Sequence, residues 1–375
     1  MAVQLTKGYK INSKRKQKFD FKEKDKLFTV LRIYRVLLQL LGVLPVLGDS
    51  RILNYLQRIW CAVLVLLISY MTVREALQLD ESITTLEKGF YLSELIFMVL
   101  LPLNIFILSF THRETFLSIC DQYKLLKQQL SLYHGAIRHP YKSIYRTLRL
   151  ELLWLTFCLL LFYTYCIILN FISNQGRVLA VLRITATFHS GNIIINGNLA
   201  LYWFSIRAIS LASRYLNSIL KSFREDWSAC IVNSDHQLRN ESSSFPKALW
   251  FQKEFGFASF NKFWKFDDIL VNLNEICCNL DQLMHDIVHI FRIILIMNFV
   301  NSFLILVLQS FLIYKYFDNP DARTILLFLL KCARLLLHTF NIIIILLSHN
   351  AVINQVSLSC HAQNRNSSLR IIRKL

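Results

Sequence analysis

The sequence predicts an all-α polytopic membrane protein, with six spans, an N-terminal interfacial helix, and helices that extend into a cytoplasmic bundle. Three observations carry this. Of 375 residues, 54% are hydrophobic and only 18% charged, against roughly 45–50% and about 25% in soluble domains. The apolar residues fall in blocks of about 20, the length that crosses a bilayer. The basic residues sit between those blocks, where they set topology and meet anionic headgroups. The net charge of +18 therefore reads as membrane charge, and no nucleic-acid partner is expected. Nine Gly and five Pro are too few for a collagen-like or linker-rich chain, and the apolar content excludes disorder.

Taken in order, residues 1–27 hold nine Lys/Arg against three acids. They form a basic cytoplasmic N-terminus with no apolar core of the signal-peptide kind. Residues 28–47 (FTVLRIYRVLLQLLGVLPVL) carry Arg32 and Arg35 on nearly one helix face. An interfacial or half-inserted helix suits them better than a full span. A six-span domain, 59–349, follows. Its spans are 59–74, 90–110, 149–173, 179–211, 288–314 and 324–349, with cytoplasmic segments 111–148 and 212–287. Residues 350–375 are a basic cytoplasmic tail.

Charge sets the count. Segment 75–88 carries Glu75, Asp80, Glu81 and Glu87 against Lys88 and suits the outside. Segment 111–148 holds Arg113, Lys124, Lys127, Arg138, Lys142 and Arg146 against Glu114 and Asp121 and suits the inside. The tail has Arg365, Arg370, Arg373 and Lys374 without an acid. Both ends inside require an even number of spans, so 28–47 is not counted. In 212–287 the start is basic (Arg214, Lys221, Arg224), and the polar stretch 230–246 reads as a flexible loop. The glycosylation triplets at Asn240 and Asn366 fall on the wrong side for sugar.

Before the fifth span, Phe266, Leu270, Leu273, Cys277, Leu280, Met284 and Ile287 recur at steps of four and three, a heptad seam. No Pro or Gly separates it from the span. One helix from about 266 to 314 would be about 70 Å long, with its seam below the membrane. Residues 111–133 read as a second such helix. The bundle they build could lie within one subunit or between subunits.

Ionisable and other polar groups inside apolar blocks are costly and face protein or water. They are Glu94 in the second span; Arg183, His189, Asn192, Asn196, Asn198 and Arg207 in or near the fourth; and Lys331, Arg334 and His338 in the sixth. One reading is a polar cavity in which Glu94, Arg183, His189 and Asn192 contact a small ligand, Glu94 being a charge partner for Arg183. Tyr91, Phe188, Tyr202 and Trp203 could wall it. The other reading is helix–helix glue and snorkelling. The nine cysteines form no CxxC pair. His285 and His289 share a helix face but lack a further ligand. No enzyme motif is present, so no catalytic residue, metal or cofactor is expected.

These residues carry a resemblance. The stretch LLQLLGVLPVLGDSRILNYLQRIW resembles the opening of insect gustatory receptors, the seven-helix chemoreceptor family, with its Gly-x-x-Pro step and short basic link. FDDILVNLNEICCNLDQLMHDI resembles that family's long helix before the fifth span. Residues 341–375, ending SLSCHAQNRNSSLRIIRKL, resemble the segment after the sixth, including Cys360. The resemblance implies a cytoplasmic N-terminus and ligand-gated cation channels assembled as tetramers, homomeric or with related subunits, in the plasma membrane of sensory neurons. A small tastant would bind among the outer halves of the helices, and the cytoplasmic ends of the long helices would form a shared anchor. One departure is large. The family's last helix carries Thr-Tyr followed by Gln-Phe, and no such pairing occurs before Leu375. The expectation is a receptor lacking its final, pore-lining span, so no pore residue can be named.

Three other functions compete. A G-protein-coupled receptor needs an external N-terminus, against the nine basic residues before position 28. A small-solute transporter predicts paired broken helices; Gly191 and Gly197 interrupt one block, without a counterpart. A non-conducting modulatory subunit fits the absent last helix.

Overall fold

The computed structural model describes residues 34–45, 51–77, 85–132, 140–173, 176–237, 266–316 and 322–372, and every regular element among them is helical. Of the 28–47 helix it describes α1 (34–40) and the turn after it; the rest lies outside the described residues. Gly42 ends α1 with φ +72°. Its N–H donates to Gln39 O at 3.1 Å while the Val43 N–H reaches back to Leu38 O at 2.9 Å. This paired closure needs a left-handed residue, hence glycine. Three carbonyls here also accept from α2 (Arg51–Leu77). Gln57 Nε2 donates to Leu44 O at 2.8 Å and Gln39 O at 3.1 Å, and Trp60 Nε1 to Leu40 O at 2.7 Å. The turn is thereby wedged into the bundle.

Next come α3 (Thr85–Thr111) and α4 (Arg113–Leu132). The backbone ladder crosses their junction, His112 N–H to Leu108 O and Phe116 N–H to His112 O, both 2.9 Å, so the segment expected at 111–133 extends α3. Inside α3, Pro102 has no N–H to give the Met98 carbonyl four residues earlier. That carbonyl faces Gly191 so closely that a Cβ there would meet it at 3.0 Å. Pairing Pro102 with Gly191 lets two backbones approach.

α5 (Pro140–Ser173) leads to α6 (Val178–Ile184), a π-turn (Thr185–His189) and α7 (Ser190–Gln237). α8 (Phe266–Tyr316) and α9 (Ala322–Ile372) have 51 residues each and run about 77 Å. One expectation changes here. Residues 230–237, read as loop, continue α7, whereas 238–246 lie outside the described residues. There polar composition marked where the apolar surface stops, and the helix does not stop with it. Residues 350–372, expected as a tail with a helix-forming run after Cys360, continue α9.

Among the described residues, five helices are long and apolar enough to cross a membrane: Arg51–Leu77, Lys88–Thr111, Arg146–Ser173, Val271–Tyr314 and Phe328–Asn354. The protein is a multi-pass membrane protein. The fourth expected span, 179–211, is not one of these five; it is divided among α6, the π-turn and the start of α7. Its helix packs against α3, α5, α8 and α9 at once and buries Asn192, Asn196 and Asn198 among Ile195, Leu199, Tyr202 and Ile206. A helix screened by neighbours can afford polar groups that a lipid-facing one cannot. The outward faces of α2 and α5 show the contrast, presenting Val63, Leu66, Leu67, Trp154, Phe157 and Leu160.

The heptad residues lie on α8. Leu273, Leu280, Met284 and Ile287 are buried and Cys277 partly so, while the side chains of Phe266 and Leu270 lie outside those described. They join a core with Phe116, Ile119 and Leu126 of α4 and Ile209, Tyr215 and Leu216 of α7. Ile276 and Leu283 are buried too. Two neighbours demand a wider apolar stripe than one coiled-coil partner would. This face is filled within the subunit.

Candidate functional site

The upper end of the bundle is where α2 finishes and α3 begins. Four charged side chains from four helices converge there. Arg334 of α9 approaches Glu94 of α3 at 3.5 Å, with side-chain exposures of 12% and 2%. Arg183 of α6 approaches Glu75 of α2 at 3.7 Å. The expected Glu94–Arg183 pairing is therefore replaced: Arg183 goes to Glu75, and Glu94 takes Arg334. The exchange follows from azimuth, because Glu94 is turned inward toward α9 while Arg183 sits on the short helix beside α2. Both contacts are loose for ion pairs, and Glu94 Oε2 is buried without a hydrogen-bond partner.

Aromatic rings fill the space between. Tyr91 Oη donates to Glu75 Oε1 at 3.5 Å, and its ring lies 5.7 Å from that of Phe188. The Arg334 guanidinium stands 4.5 Å over the Phe188 ring, a cation–π contact. Phe188 and His189 belong to the π-turn, which buries both with Thr187. His189 meets the edge of Tyr163 from α5 at 5.6 Å, and its Nε2 is buried without a hydrogen-bond partner. Asn196 Nδ2 donates to Tyr163 Oη at 2.7 Å. Asn192 Nδ2 is spent on its own helix, donating to Phe188 O at 2.8 Å.

A polar seam continues downward between α8 and α9. His338 Nδ1 lies 3.3 Å from Ser302 Oγ, one turn below Arg334. Asn298, Asn301 and Asn341 are buried beside it. Lower still, Arg207 of α7 and Glu151 of α5 form a forked pair, Nε to Oε2 at 3.0 Å and Nη2 to Oε1 at 2.9 Å. Tyr123 of α4 donates to Ser205 O at 2.8 Å.

Of the four expected ligand contacts, Glu94, Arg183 and His189 meet in one cluster, while Asn192 lies at its margin. Among the wall aromatics, Tyr91 and Phe188 belong to it. Tyr202 packs on Phe291, and Trp203 lies against Leu155 and Ile344; both are elsewhere. Sequence reasoning missed Glu75 as a participant, Tyr163, Ser302 and the π-turn. Glu75 was visible as one acid in a count of charges. Thr185–His189 carries no compositional sign of a π-turn.

Chemically the cluster offers two carboxylates, two guanidiniums, an imidazole and two ring faces, mostly buried, with Arg183 at its exposed edge. That suits recognition of a small molecule by hydrogen bonds and stacking. Among the described residues, no group of three His, Cys, Asp or Glu could hold a metal ion. A search of curated proteins finds no match. Residues 31–369 match the family described as 7tm chemosensory receptor, and the chain belongs to that family.

Proposed function

We propose that the chain is a gustatory chemoreceptor subunit of a ligand-gated cation channel, in which a small tastant occupies the upper cluster. The family match over residues 31–369 is the observation that carries the reading. Inward-facing Glu94, Arg334 and His189, two of them with unpartnered buried atoms, support the place. Binding gates a channel only if it favours the open arrangement by differential contacts.

In this reading the basic N-terminus is cytoplasmic, the chain spans six times with 179–211 as the screened fourth span, and it resides in the plasma membrane of sensory neurons. It works as a tetramer, homomeric or with related subunits. A shared anchor between subunits would use the outward face of α8, with Asn274, Glu275, Cys278, Gln282 and His285, because the heptad face is already filled within the chain.

The test is cation current in cells expressing the chain, alone and with related receptor subunits, during application of a tastant panel. Ligand-evoked current that Glu94→Gln shifts in dose dependence, at unchanged surface expression, is the expected result. Absence of evoked current in every combination overturns the channel reading. Current only in combination, with the permeability ratios of the partner alone, assigns a modulatory subunit. Transcript sequencing beyond codon 375 adds the deciding fact about a Thr-Tyr to Gln-Phe helix.

A further inference from the structure

The π-turn at Thr185–His189 carries one residue more than α-helical register allows, and such turns persist where surrounding contacts hold them. Here Phe188 is gripped from two other helices, by Arg334 of α9 on its face and Tyr91 of α3 beside it. Arg334 is in turn held by Glu94. Side chains bond the carbonyls around the turn: Thr187 Oγ1 donates to Arg183 O at 3.0 Å, Ser190 Oγ to Ala186 O, and Asn192 Nδ2 to Phe188 O at 2.8 Å.

The two flanks of the turn differ. Below it, Gly191 lies tight against Met98 of α3, and α7 is buried on several sides. Above it, α6 has seven residues, and its Val178, Leu179 and Leu182 are exposed. Any change of register therefore appears as movement of α6, the helix that carries Arg183.

We propose that Phe188 is a positioning residue that couples occupancy of the upper cluster to the register of α6. A ligand that engages Glu94, or draws Arg334 from the ring, frees Phe188. The π-turn then anneals to α-helix and turns α6 by about 100°, one residue of helical rotation. Arg183 leaves Glu75 as a result, so a contact made at one edge of the cluster is read at the other. This rests on the ligand reading above, but the coupling is testable without a ligand.

Nitroxides on ketone-bearing unnatural residues at Leu182 and Leu336, both exposed, leave the nine native cysteines untouched. Pulsed dipolar spectroscopy on the full chain in lipid nanodiscs then measures the α6–α9 distance. Deletion of Ala186 supplies the annealed reference. A side chain at a helix radius of 5–6 Å moves roughly 8 Å in a 100° turn, well within resolution. Arg334→Gln and Phe188→Leu should each shift the distance distribution toward the deletion reference. Arg334→Lys, which keeps a cation at the ring, should retain the wild-type distribution. Arg183→Gln, which leaves Phe188 gripped, should retain it too. Wild-type distances in folded Phe188→Leu or Arg334→Gln overturn the proposal, and so does a shift in Arg334→Lys equal to that in Arg334→Gln. A shift in the variants with no compound producing one leaves the coupling standing and counts against the ligand reading alone.

Discussion

Arg207 and Glu151 meet through two prongs at 2.9–3.1 Å between α7 and α5. Their side chains are 23% and 28% exposed. Both groups are partly shielded, so losing one strands the other. Arg207→Met should cost about 2 kcal/mol, in the range of a charged hydrogen bond. The double variant with Glu151→Leu should recover much of it, since replacing both charges removes the stranded group. Thermal melts of all four forms in detergent provide the cycle. A double-variant loss equal to the sum of the two single losses would show that the pair is not coupled.

Gly42 offers a second test. Its φ of +72° already costs an L-residue about 1–2 kcal/mol. A Cβ there would also lie 2.6 Å from Cys61 Sγ and from the Phe106 ring. Gly42→Ala should therefore destabilise by more than the backbone term alone, adding about 1–3 kcal/mol of overpacking. Gly89 in α3 has open space around its Cβ position, so Gly89→Ala should be neutral or stabilising by about 0.5–1 kcal/mol. Comparing monodisperse yield and melting temperature of the two variants decides this. Equal behaviour would mean the α1 turn is not wedged between α2 and α3.

Thiol reactivity should separate Cys120 of α4 from Cys278, which precedes the expected fifth span at 288–314. Cys120 of α4 is half-buried, and burial pushes its thiol up, partly opposed by the nearby Arg35 and Lys124 cations. Only the thiolate is nucleophilic. A raised pKa therefore means less thiolate at neutral pH, and alkylation that grows as pH rises toward the shifted value. Cys278 is exposed on α8. Mass-spectrometric mapping after brief maleimide treatment at pH 7 should find Cys278 modified well before Cys120. Prior modification of Cys120 would contradict its partial burial.

Arg183→Gln removes the Glu75 contact at 3.7 Å without touching Glu94 or Arg334. In cells that respond to a tastant, the variant should change the agonist response while surface expression stays normal. With 35% of its side chain exposed, Arg183 contributes little to stability, so folding should be spared. An unchanged response at normal expression would remove Arg183 from the site.

How much of this was legible in the sequence depends on what each feature requires. The four-three alternation from Leu273 to Ile287 reports burial directly, because helical period and apolar face are both written in residue order. The helix through Phe266–Tyr316 was legible for the same reason, and because no Pro or Gly interrupts it. The continuation at 230–237 was not, since a helix can outrun its apolar surface. Glu94 and Arg183 could be singled out by their cost in an apolar setting, yet their partners could not. Partner choice depends on how four helices are rotated about their own axes, which only packing decides. The π-turn is the extreme case: Thr-Ala-Thr-Phe-His would serve as ordinary helix elsewhere, and its form here depends on Arg334 and Tyr91, distant in sequence.

The 51-residue helix α8 contains no Gly, Pro or π-turn, the sites at which helices bend sharply. It therefore behaves mechanically as a stiff beam about 77 Å long. Held near its middle, a beam of that length turns a tilt of about 5° into a displacement of about 3 Å at either tip. A disturbance at the upper end no larger than one methyl group thus arrives at the lower end undiminished, with its direction reversed.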